Sequence, residues 1–114
     1  MHTFERLFIY QKANEFNLLV RSFLRDEKID YSTENQLRRA SLSIVLNIAE
    51  GSSRMSDKDS RRFYIMSRGS VLESAAILIL LNAEKSIERK LYISLYEKSE
   101  ALSRILYKMI RDLA

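Results

Sequence analysis

The sequence contains no cysteine and no proline, and among its 114 residues there are only two glycines and one histidine. Without cysteine there is no disulfide, no thiol nucleophile and no thiolate zinc site. Proline and glycine punctuate strands and tight turns, so their scarcity argues against an all-β fold, whereas long helices need neither. The single histidine is His2, beside the N-terminus, which removes histidine-based catalysis. There is no glycine-rich phosphate loop and no serine in a nucleophile-type turn. Candidates for acid, base or nucleophile reduce to scattered carboxylates, and the expectation is a protein that is not an enzyme and uses no cofactor or metal. No uninterrupted apolar run approaches the roughly 20 residues that cross a bilayer. The opening MHTFERLFIY lacks the basic-then-apolar layout of a signal peptide, so a soluble cytoplasmic protein with no membrane partner is expected.

What is present is a 46% apolar composition in a chain of one domain's length, arranged at helical spacing. Ile9, Ala13, Phe16, Val20 and Phe23 recur at steps of four and three and predict an amphipathic helix over 4–25. Thr33 followed by Gln36 has the spacing of a capping box that opens a second helix over 33–51, carrying Leu37, Ala40, Ile44 and Ile48. Ser56, with Asp57 and Asp59 behind it, predicts the cap and first turn of a third helix over 57–83. A fourth, over 87–113, places Leu91, Leu95, Leu102, Ile105, Met109 and Leu113 on one stripe. Short connections force successive helices antiparallel, so the predicted fold is all-α, an up-down-up-down four-helix bundle forming a single domain over 1–114.

The second and third helices carry more apolar surface than one bundle needs. On a helical wheel Leu42, Leu46 and Ala49 fall on the side of the second helix away from Leu37, Ile44 and Ile48. On the third, Phe63, Met66, Ile77 and Leu81 share a face with Ser70 and Glu73, and Ile65, Leu72, Ala76 and Ile79 cover another. A helix apolar nearly all round calls for a partner on every side, which predicts self-association. Between the apolar sectors Gln36, Arg39, Ser43, Asn47 and Glu50 form a continuous polar stripe. With Ser70 and Glu73 this stripe reads either as a buried seam that fixes register or as part of a subunit interface. An alternative brings Glu50 and Glu73 together across the two helices as a metal-dependent site, with Gly69 permitting close approach. The simpler pairing gives each carboxylate Arg39 or Arg68 as partner.

The net charge is +4, and its surplus is local. Residues 38–68 hold seven Lys and Arg against three Asp and Glu, whereas the flanking segments are close to balanced. Arg38, Arg39, Arg54, Lys58, Arg61, Arg62 and Arg68 thus predict a basic cap around the connection between helices two and three. Such a cap suits salt-sensitive, largely sequence-independent contact with RNA or DNA backbone, carried by Arg38, Arg54, Lys58, Arg61, Arg62 and Arg68. The alternative is a protein-interaction module in which these arginines serve intersubunit pairs.

The stretch QLRRASLSIVLNIAEGSSRMSDKDSRRFYIMSRGSVLE, Gln36 to Glu73, has an arginine-rich start, N-I-A-E-G, an arginine and serine turn, and G-S-x-x-E on the next helix. It resembles the signature region of the four-helix bundle family of 23S rRNA intervening-sequence proteins, which includes the accessory variability-determining proteins of diversity-generating retroelements. Tyr10, Gln11, Lys12 and Ala13 match the family's first helix. The resemblance implies an up-and-down bundle, assembly into a ring, typically a pentamer, and a basic surface suited to nucleic acid. In the retroelement branch it also implies a reverse transcriptase as partner.

Overall fold

The structure is a computed structural model, and it describes residues 3–114; His2 lies outside the described residues. Four helices follow in order: α1 (Thr3–Asp26), α2 (Tyr31–Ser53), α3 (Asp57–Ala83) and α4 (Arg89–Asp112). Each packs antiparallel on its sequence neighbours and α1 closes against α4, giving the up-down-up-down bundle that the short connections dictate. It measures 43 × 23 × 19 Å.

The helix ends show local chemistry at work. α2 opens two residues earlier than the Thr33 and Gln36 spacing predicts, because Asp30 and not Thr33 is the cap: its carboxylate accepts from the Thr33 N–H at 3.0 Å. That bond holds the Asp30 carboxyl below the usual carboxylate range. Ser56 caps α3 as expected, accepting from Asp59 N–H. α3 ends in a Schellman motif, with Ser86 N–H donating to Leu81 O and Lys85 N–H to Asn82 O. Its left-handed position is held by Lys85 at φ 58°, and α4, with Glu88 as its N-cap, starts at Arg89 and not at 87.

One core runs through all four helices. Ile9, Ala13, Phe16, Val20 and Phe23 from α1, Leu37, Ile44 and Ile48 from α2, and Leu95, Leu102, Leu106 and Met109 from α4 are buried. α3 departs from the sequence reading. Its buried line is Ser60, Tyr64, Ser67, Val71, Ser74, Leu78 and Leu81, a strict alternation of steps of four and three in which serine alternates with larger residues as far as Ser74. Of the face predicted around Phe63, only Leu81 is buried, and Met66 is exposed. Ser67 Oγ donates to Ile44 O across α2 at 2.9 Å, an approach that only a small side chain permits. Between α1 and α2, buried Ser41 donates to buried Asn17 Oδ1 at 3.1 Å.

By length and composition α3 is long and apolar enough to span a membrane, contrary to the expectation that no apolar run approaches that length, because Arg68 and Glu73 are the only charges within 63–83. In this fold its serine-bearing line faces the core, while Ile65, Leu72 and Leu80 lie open.

Candidate nucleic-acid interface

The three-residue connection 54–56 turns the chain sharply between two long helices. Arg54 ends α2 in an extended conformation and Ser56 starts α3 at once. Arg54, Lys58, Arg61 and Arg62 are thereby gathered at one end of the bundle, and most of them are already engaged. Arg54 meets Glu50 Oε2 at 2.6 Å, and its guanidinium lies 4.5 Å from the Phe63 ring centroid. Arg62 lies 4.6 Å from the same centroid and 3.7 Å from Asp59. Arg61 Nε donates to Ile110 O, near the C-terminus of α4, at 3.1 Å. Lys58 is exposed and makes no ion pair among the described residues.

Two of the predicted contacts lie elsewhere. Arg38 does not join the cap: sixteen residues of helix before Arg54 place it about 24 Å away, where it pairs with Glu34 at 3.4 Å. Arg68 faces α4, donating from Nε to Ser103 O at 3.2 Å with its guanidinium 5.4 Å from the Tyr107 centroid.

Sequence reasoning missed the contribution of α4. Because α4 runs antiparallel to α3, its last turns return to the basic end and set Arg104, Lys108 and Arg111 beside Arg61 and Arg68. The groove between the two helices is lined by Arg68, Ser103, Arg104, Tyr107, Lys108 and Arg111. The 104, 108, 111 spacing carries the signal in the sequence, hidden because 69–114 as a whole is close to balanced in charge. If the bundle is divided at the level of the Ser43–Ser70 contact, the half made of 3–14, 43–69 and 101–114 holds ten Lys and Arg against five Asp and Glu. The other half holds nine against ten.

The polar stripe lies between α2 and α3 as an open groove, not as a buried seam. Ser70 Oγ donates to Ser43 Oγ at 2.9 Å, and Asn47 Nδ2 donates to Ser43 O at 2.9 Å. Gln36, Arg39 and Glu73 line the same groove and are exposed. The pairings differ from those expected. Glu50 takes Arg54 as partner; Arg39 and Glu73 form no ion pair within 4.0 Å among the described residues; and Arg68 belongs to the opposite flank of α3. The antiparallel register set by Ser43 and Ser70 puts Glu50 and Glu73 ten residues apart along the groove, about 15 Å. They cannot share a metal ion. Gly69 is not needed for close approach, since a Cβ added there meets nothing within 4 Å.

The sequence model of the family described as "23S rRNA-intervening sequence protein" matches residues 5–108. Among curated proteins none matches significantly. A solved structure with the same fold is that of a protein of unknown function from the S23 ribosomal protein family of Bacteroides thetaiotaomicron. It is 24% identical, covers 94% of this chain and 98% of its own, and superposes with a TM-score of 0.87.

Proposed function

The chain belongs to the family of 23S rRNA-intervening sequence proteins, and from that premise we propose that it is a self-associating, non-enzymatic accessory protein that binds nucleic-acid backbone through the basic half of its bundle. The observation that carries this reading is the convergence of cations from α3 and α4 at one end, with the opposite half close to neutral. Polyanions are attracted to such a surface without base-specific contacts. Fluorescence anisotropy with an arbitrary RNA and an arbitrary DNA duplex tests it. Binding that weakens as salt rises supports the reading, and no binding at low salt overturns it.

Self-association rests on a different surface. Leu46 at 54%, Ile65 at 45% and Leu72 at 50% exposure stand on the outer faces of α2 and α3, on either side of the open polar groove. A ring of five such subunits has a mass of about 67 kDa, five times 13.4 kDa. Light scattering at micromolar concentration should show that assembly, and Leu46→Glu with Leu72→Glu should dissociate it. A wild-type species of single-chain mass overturns the proposal. A second reading, a protein-interaction module without nucleic acid, is favoured by the intramolecular engagement of Arg54, Arg61 and Arg62; absent oligonucleotide binding would decide for it.

A further inference from the structure

The groove between α3 and α4 differs from the rest of the basic surface in what its cations do. Arg104, Lys108 and Arg111 recur at steps of four and three, so they follow one flank of α4 for about 10 Å. Among the described residues no carboxylate lines the end of the groove around Tyr107; Glu100, one turn before Arg104, lies where the groove continues toward Tyr96. Arg111 meets Asp112 at 3.2 Å, whereas Arg104 and Lys108 form neither ion pair nor hydrogen bond among the described residues. In their midst Tyr107 is 57% exposed, and the guanidinium of Arg68, tethered to Ser103 O, lies 5.4 Å from its centroid.

Two uncommitted cations, Arg104 and Lys108, flanking an exposed aromatic ring are a combination that holds single-stranded nucleic acid. The charges follow the phosphates, and the ring stacks on a base of any identity. A duplex offers the phosphates but keeps its bases stacked on one another. We infer that the α3–α4 groove is a binding site for single-stranded nucleic acid, in which Arg104 and Lys108 meet phosphates and Tyr107, backed by Arg68, stacks on a base. This rests on the nucleic-acid reading above and adds both the place and the strandedness.

The test uses the full chain and anisotropy titrations with a labelled oligothymidylate and a labelled duplex of equal length, over a series of salt concentrations. Circular dichroism establishes that each variant is folded. Arg104→Gln with Lys108→Gln should weaken single-strand binding about tenfold and shallow the log–log salt slope by roughly 1.4, two contacts' worth. Tyr107→Ala should weaken the single strand about fivefold or more and leave the duplex unchanged, and Tyr107→Phe should retain wild-type affinity. Lys58→Gln with Arg62→Gln, on the cap, reads what the rest of the basic end contributes, and Lys28→Gln with Lys90→Gln, exposed in the opposite half, should stay within about threefold, acting only through screened long-range charge. If the cap pair abolishes binding while the groove variants are silent, the nucleic-acid reading stands and the groove assignment falls. Equal losses on both oligonucleotides for Tyr107→Ala overturn the single-strand assignment. A wild-type chain that binds neither oligonucleotide at low salt removes both inferences.

Discussion

Gly51 and Tyr64 are matched to one another. Tyr64 is fully buried and shares a hydrogen bond with Ser52 at 3.2 Å, and a Cβ added to Gly51 would lie 2.7 Å from its Cε1 and 2.9 Å from its Cδ1. Neither group has room to retreat, because one is helix backbone and the other a core ring. Gly51→Ala should therefore destabilise the fold by about 1–3 kcal/mol, read as a lower melting temperature by circular dichroism. Gly69 predicts the opposite sign. It sits in the middle of α3 with open space where its side chain would be, so Gly69→Ala should stabilise by about 1 kcal/mol through helix propensity and lost unfolded-state freedom. A fall in melting temperature instead would place a neighbouring molecule over Gly69. Both glycines belong to the one signature stretch, and the packing distinguishes them: Gly51 is required by a ring thirteen residues away, Gly69 by nothing among the described residues.

α3 is the element in which pattern and packing part company. In α1, α2 and α4 the apolar stripe and the buried line nearly coincide, so their faces were legible from spacing alone. In α3 the buried line alternates serine with Tyr64, Val71 and Leu78, and periodicity of apolar residues points away from it. Serine belongs there because α2 approaches closely enough for Ser67 to reach Ile44 O. Ser67→Leu, which restores a conventional apolar line, should cost about 1–3 kcal/mol by overpacking, seen as a lower denaturation midpoint. The helix ends carry two further expectations. Lys85→Gly should stabilise by about 1 kcal/mol, since a left-handed residue with a side chain carries a penalty that glycine lacks. At the start of α2 the depressed Asp30 carboxyl contributes stability above its unfolded pKa, and that contribution disappears as pH falls through the folded value. Asp30→Asn keeps an acceptor at the cap but cannot titrate. It should flatten this part of the acid dependence, measured as the difference between wild-type and variant melting temperatures across acidic pH.

At the scale of the whole molecule the bundle topology, the four helices and the region of the α2–α3 connection were legible, because short connections and helical spacing leave few alternatives. The electrostatic layout was not, because it is created by antiparallel folding: Arg104, Lys108 and Arg111 are distant in sequence from Arg61 and Arg68 and adjacent to them in space. The same folding made Glu50 and Glu73 look like possible neighbours, and the Ser43–Ser70 register separates them. The uneven division of charge along the long axis has a consequence for symmetry. In a cyclic assembly whose rotation axis runs along the bundles, every subunit points the same way, so the polar components add and the ring acquires two unlike faces, one cationic and one near neutral. A dihedral arrangement would cancel them. A ring of the first kind meets a polyanion from one side only, and its opposite face stays free for a partner of different chemistry.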